Sequence, residues 1–350
     1  MCQTQAALRA EYVCSCFFTR QIFIKKYGLH VTFENEAQFE REFRQGLRFR
    51  GCSTDKQYAD VLLEVKAEQE RRKNYHTTFL SNYLRNQESY SYVHPELKQL
   101  QRKFLDARFL DISQDRNLQS PETLLQTLTN NGGFDHGEQV YSFPLFTPEF
   151  CNHLAEEITH FRESTLKRSL PNTMNSEGVS LDEMGLSYTL LTSLIQDYLQ
   201  PITKLLFPAW GGGTLDSFKS FVVCYEVDKQ QALSKHFDNA EVSMSVCLNS
   251  EFEGGDLQLG EMLGEAGSQW LEPVQVKQKK GHCILHRSRQ FHSADPISRG
   301  KRINMIVWMR SSSVRNLICP MCGQAPDIRE VPIAGDGFTP SNTTAACACV

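Results

Sequence analysis

A chain of 350 residues, 40% apolar and 22% charged with a net charge of −4, can bury a large core or two, and it demands neither a nucleic-acid nor a membrane partner. The first 20 residues carry Arg9, Glu11 and Arg20 and no apolar run of signal-peptide length, and no later run approaches the ~18 to 20 apolar residues of a membrane span. A cytoplasmic or nuclear protein is expected, its 12 cysteines mostly reduced, with Cys224, Cys247 and Cys283 packing as small apolar groups in strands.

In chain order, residues 1–135 read as a mainly helical amino-terminal region. Residues 1–35 hold only short apolar pieces, Phe17-Phe18 and Ile22-Phe23-Ile24, which predict loop with one or two short strands or a helix. Cys14-Ser15-Cys16 could bind metal, but an isolated C-x-C more often does not. A short helix is expected from Glu36 to Arg44. A better one starts at Thr54, which with Gln57 forms a capping box, and its Tyr58, Val61, Leu62 and Val65 make one apolar stripe. Beyond Lys66 the pattern turns polar. Further helices are predicted from Pro95 to about Ala107 and from Ser120-Pro121-Glu122 to Asn130-Asn131-Gly132-Gly133, followed by a linker to about Gln139.

Residues 136–312 form the second predicted region. Val140 to Leu145 reads as a strand. Thr147-Pro148-Glu149 then opens a helix carrying Phe150, Leu154, Ile158 and Phe161, with more helix from Leu186 to Leu205 and a loop at Gly211-Gly212-Gly213. After Phe218 the period becomes that of strands. Val242, Met244, Val246 and Leu248 alternate with Glu241, Ser243, Ser245 and Cys247, and Ile303, Met305, Val307 and Met309 alternate with Asn304, Ile306 and Trp308. The class is α+β, with two facing sheets closing on a cavity. In the tail, residues 313–350, the knuckle Cys319-Pro320-Met321-Cys322 and the pair Cys347 and Cys349 offer four thiolates for structural zinc, though C-x-C departs from the paired-knuckle pattern.

The chemistry concentrates between Lys219 and Arg310. In a strand His236 and Asp238 project from one face, so one metal ion could touch both. A second histidine from a distant strand completes two histidines and a carboxylate on one face of a metal, the usual set of non-haem iron(II) oxygenases. His292 is the candidate because Pro296, Gly300 and Arg302 follow it, the histidine ending one strand and the arginine beginning the next across a tight turn. His282 and His286 are expected to pack in the barrel or face solvent. Arg302 can grip a carboxylate with two parallel hydrogen bonds. Its neighbour Lys301 competes for that role from the opposite strand face, and parity alone separates them poorly.

The frame His236-x-Asp238, His292, Arg302 resembles the 2-oxoglutarate- and iron(II)-dependent oxygenases, in the branch with the prolyl and lysyl hydroxylase catalytic domains. Tyr225, the run Glu253-Gly254-Gly255-Asp256-Leu257, Gly281, Leu285 and Trp308 agree with it. The resemblance implies a double-stranded β-helix, or jelly roll, with helices on its larger sheet. It implies iron(II) on His236, Asp238 and His292, which are then the catalytic residues. Arg302 would pair with the far carboxylate of 2-oxoglutarate, helped by Tyr225, and ascorbate would serve as the reductant. It implies hydroxylation of a substrate, best matched to a protein side chain, with release of succinate and carbon dioxide. A small-molecule substrate, or a non-catalytic interaction module that keeps the fold, are the alternatives. The amino-terminal region is expected to support the barrel or recruit substrate and to supply no ligand.

Overall fold

The computed structural model describes residues 10–115, 119–264 and 272–340. It divides into two compact units, Met1–Ser81 with Arg315–Val350, and Asn82–Val314. Among the described residues no helix is long and apolar enough to cross a membrane.

In the first unit the strands Ile22–Ile24 and Leu29–Val31 pair around Gly28, and the helix Glu36–Phe49 starts where the Asn35 side chain accepts the Gln38 N–H. Ile22, Ile24, Val31, Phe39, Leu47, Val61 and Val65 form its core. The helix Asp55–Ser89 runs for 35 residues, well past the point at which its sequence turns polar. The reason is that its inward stripe becomes polar and is tied down by hydrogen bonds to backbone carbonyls. Arg72 donates to the carbonyls of Phe17, Arg20 and Gln21, and His76 Nδ1 meets the Ile333 carbonyl at 2.8 Å. Buried polar groups with such partners hold a helix in place as apolar ones would.

The second unit is α+β. An eight-stranded antiparallel sheet runs in the order Phe134–Asp135, Tyr141–Pro144, His282–Arg287, Val242–Cys247, Ile297–Arg310, Ser217–Glu226, Gly178–Ser180, with Phe252–Gly254 added to one end of Ile297–Arg310. A four-stranded sheet has the order Val274–Val276, Leu257–Met262, Gln290–Ala294, Leu233–His236. Alternation along the large sheet separates two environments. Val242, Met244, Val246, Met305, Val307 and Met309 pack beneath the helices with Phe150, Leu154, Ile158 and Phe161. Ser243, Ser245, Asn304, Ile306 and Trp308 line a cavity on the other side.

The boundary expected at residue 135 falls inside this unit, because residues 82–135 supply part of its core. Leu97, Phe104, Leu105, Phe109, Ile112, Leu124 and Leu128 are buried in the same cluster as the sheet. The segment from Pro95 is also less regular than its spacing predicts, with 3-10 turns at Pro95–Lys98 and Arg102–Phe104 before the helix Ala107–Ser113. Gln99, between them, is extended, which lets Leu97, Phe104 and Leu105 all turn inward. The helix expected from Leu186 to Leu205 widens to a π-turn at Leu194–Leu199. Pro201 has no N–H to give to the Asp197 carbonyl and crowds it, so the ladder opens ahead of it. Phe109 is fully buried and stacks parallel to Phe143 at 5.8 Å. Phe109→Ala is expected to cost about 3 to 5 kcal/mol. Denaturant unfolding of the intact chain measures it, and a loss below about 1 kcal/mol would mean that this segment is not part of the core.

Candidate active site

The cavity holds about 550 Å³, open mouth included, between the two sheets of the second unit. His236 ends the strand Leu233–His236, and His292 lies directly across from it on Gln290–Ala294. Asp238 is not on the strand, as its alternation with His236 predicts; it follows in the next turn, where its backbone N–H donates to the Ser288 carbonyl at 2.8 Å. That turn still brings its carboxylate between the histidines. Oδ1 lies 3.7 Å from His236 Nε2 and 3.6 Å from His292 Nε2. The three donor atoms lie within 4.8 Å of one another, so a single ion can touch all of them.

The surroundings fix which atoms face that point. His236 Nδ1 sits 2.8 Å from the Ser234 carbonyl and His292 Nδ1 sits 2.9 Å from the Gln290 carbonyl. A carbonyl only accepts, so each Nδ1 carries the proton and each Nε2 presents a lone pair. Asp238 Oδ2 accepts a hydrogen bond from Ser243 Oγ at 2.6 Å, and that hydroxyl lies 2.9 Å from Ser288 Oγ. Burial pushes the Asp238 carboxyl up, but His292, His236, His286 and the Ser243 hydroxyl outweigh it, so the group titrates below its ordinary value and stays ionised. His286 is buried inside the barrel, one of the two places expected for it, and lines the cavity wall. Burial, reinforced by His292, lowers it to about 4, so it is neutral.

Arg302 enters the same cavity from the large sheet. Its guanidinium lies 4.1 Å above the Tyr225 ring and donates to the Gly255 carbonyl, while its Nε has no partner. A side chain at residue 255 would sit 2.8 Å from Ile297 Cγ2 and 3.0 Å from the guanidinium, so glycine is what lets that carbonyl approach. No carboxylate among the described residues pairs with Arg302, which is only 2% exposed. Lys301 faces the other way, 3.6 Å from Glu226. The break before Arg302 is also placed differently from its Pro/Gly spacing. The chain leaves its strand at Asp295-Pro296 and is already extended at Ile297, and Gly300, at φ +77°, lies against Glu251 inside the strand, where a side chain would strike that residue's carbonyl. Asn304 and Trp308 line the cavity too, with Asn304 Oδ1 and Trp308 Nε1 buried and unpartnered. Both share the parity of Arg302, a signal present in the alternation.

A triad of this donor type beside a lone buried arginine agrees with what the chain is similar to. It is 39% identical over 333 residues to 2-oxoglutarate and iron-dependent oxygenase domain-containing protein 2 of Xenopus tropicalis, covering 95% of each chain. The chain belongs to that family. The human protein of the same name is 38% identical over 332 residues, with 93% of each chain covered. Residues 87–212 match the family model described as an OGFOD2-like domain. Among solved structures, a prolyl 4-hydroxylase of Phytophthora capsici aligns with 65% of this chain and 68% of its own at 16% identity and a TM-score of 0.40. Membership of the oxygenase family implies iron and 2-oxoglutarate, and the donor set fits both. Two imidazoles and a carboxylate with no thiol suit a metal that keeps open positions. A buried, unmatched guanidinium suits a co-substrate carboxylate.

Proposed function

We propose that the unit Asn82–Val314 is a jelly-roll oxygenase that uses iron(II) and 2-oxoglutarate to hydroxylate a protein side chain. The observation that carries this reading is the convergence of His236, Asp238, His292 and Arg302 on one cavity. When bound, iron and 2-oxoglutarate supply the oxidising chemistry, yielding succinate, carbon dioxide and a hydroxylated C–H position. His236 and His292 would hold the metal through Nε2 and Asp238 through Oδ1, leaving the remaining positions open on the cavity side. Ser243 keeps Asp238 from rotating. Arg302 would take the distal carboxylate of 2-oxoglutarate, matching a charge that water no longer solvates. Burial first, and only partly offset by Arg302, raises the Tyr225 hydroxyl above its ordinary value, so it stays protonated and can donate a second hydrogen bond to that carboxylate. Phe221, Leu257, Ile306 and Trp308 exclude water.

For the substrate, Asn172 and Gln278 place side-chain amides in the wall whose N–H groups can donate to a peptide carbonyl, their oxygens being engaged by Asn175 and Asn304. Ascorbate is the reductant assigned to keep the metal ferrous. The test is succinate release and oxygen consumption by iron-loaded protein, with and without a panel of lysine- and proline-containing peptides. Turnover of 2-oxoglutarate that a peptide stimulates, with a mass gain of one oxygen on that peptide, is the expected result. No succinate under any condition would make the fold an interaction module, and stimulation by small molecules alone would reassign the substrate.

A further inference from the structure

A second cluster of ligating side chains lies in the first unit, apart from the residues of the cavity. Cys14, Cys16, Cys319 and Cys322 bring their sulfurs within 4.8 Å of one another. The strand Glu11–Cys14 pairs antiparallel with Ile328–Val331, setting Cys14 opposite Ile328, and the Ser15 N–H donates to the Asp327 carbonyl. The chain then turns into the 3-10 segment Ser15–Phe18, so Cys14 and Cys16 both point at the knuckle. From the other side, the knuckle is closed by the Cys319 N–H to the Gln324 carbonyl and the Gly323 N–H to the Cys319 carbonyl. The backbone N–H groups of Met321 and Cys322 point at the Cys319 sulfur and that of Gln324 at the Cys322 sulfur, as they do where a thiolate must hold concentrated negative charge.

We infer that these four cysteines form a structural zinc site that ties the start of the described chain to its carboxyl-terminal segment. Zinc prefers closed tetrahedral sulfur coordination, and bonds of ~2.3 Å to the corners of a tetrahedron put neighbouring sulfurs about 3.8 Å apart. Cys16 and Cys319 stand at 3.7 Å, and none of the four is in a disulfide. Binding Zn2+ releases the four thiol protons and leaves a centre of net charge −2. The buried guanidinium of Arg72 acts on Cys16 and offsets part of that charge.

The fold also needs something at this place. A two-stranded ribbon is marginal alone, and the cysteines brought together beside this one, Cys16 and Cys319, are separated by 303 positions, so no short turn pre-forms it. Among the described residues, Phe338 is the one buried side chain other than the cysteines in the apolar cluster around them. A core that small is the kind a metal replaces. The pairing differs from the one expected along the sequence. Cys347 and Cys349 lie outside the described residues, and Cys14 and Cys16 take the places assigned to them.

The test is metal analysis of the full-length protein purified under reducing conditions, with cobalt(II) as the optical probe. The expected result is about one zinc per chain, and a thiolate-to-cobalt charge-transfer band that Asp238→Ala leaves unchanged. Cys16→Ser and Cys319→Ser should each lose the zinc and the band. Cys322→His, which keeps a ligand, should retain zinc and the thermal midpoint, separating ligation from misfolding. Replacing Cys347 and Cys349 together by serine should leave zinc in place. Zinc unaffected by Cys16→Ser, zinc lost with the Cys347 and Cys349 pair, iron in place of zinc at this cluster, or a disulfide among the four would each overturn the assignment.

Discussion

Asp238→Ala is expected to abolish iron occupancy and 2-oxoglutarate turnover while leaving the protein folded. The carboxylate is the one anionic donor of the triad and is 3% exposed, with both histidine Nε2 atoms beside it. Losing an outer partner of a metal ligand costs ~10- to 100-fold in affinity, so losing the charged ligand itself should exceed about 100-fold. Some stability should be lost at neutral pH, because the partners that hold the Asp238 carboxyl below its ordinary value then have nothing to act on, but the fold should persist, since the Ser243 hydroxyl keeps Ser288 as a partner after the truncation. Anaerobic iron titration together with thermal unfolding separates the effects. Unchanged iron affinity in a folded variant would remove Asp238 from the ligand set.

The triad was legible because strand alternation and a downstream Pro/Gly/Arg frame are local patterns. What alternation could not supply was the turn after His236, which ends the strand and still delivers Asp238 through its hydrogen bond to Ser288. Strand parity separates Lys301 from Arg302 once the apolar face of the strand is identified. Ile303, Met305, Val307 and Met309 form the apolar face under the helices, so Arg302 shares the opposite face with Asn304, Ile306 and Trp308. The helix Asp55–Ser89 escaped because hydrophobic periodicity is blind to an inward stripe of Arg72, His76 and Asn86, each hydrogen-bonded to a backbone carbonyl. The same limit hid the partners of Cys319 and Cys322. Their natural neighbours in sequence are Cys347 and Cys349, whereas Cys14 and Cys16 approach only through a strand pairing that closes almost the whole chain. The helix opened by Ser120-Pro121-Glu122 forms where it is expected, but no sequence pattern says which core its buried Leu124 and Leu128 join.

Arg302→Met carries the other large expected effect, and it bears on the central claim that this cavity takes iron and 2-oxoglutarate together. Hydrogen bonds to charged groups contribute about 1.5 to 3 kcal/mol. Losing the guanidinium should therefore weaken 2-oxoglutarate by roughly ten-fold or more, since each ~1.4 kcal/mol is a factor of ten. Iron binding should survive, because the ligand atoms belong to other residues. Without 2-oxoglutarate the variant should be no less stable than the wild type, as methionine replaces a buried cation that has no carboxylate beside it. Lys301→Met should change 2-oxoglutarate affinity little, its ammonium being engaged with Glu226 outside the cavity. The direct measurement is anaerobic titration of the iron-loaded wild type and both variants with 2-oxoglutarate, read by the iron-to-ketoacid charge-transfer absorbance. A saturable band in the wild type, shifted ten-fold or more in midpoint by Arg302→Met and hardly by Lys301→Met, is the predicted result; no band in the iron-loaded wild type, or a larger shift from Lys301→Met, would contradict it.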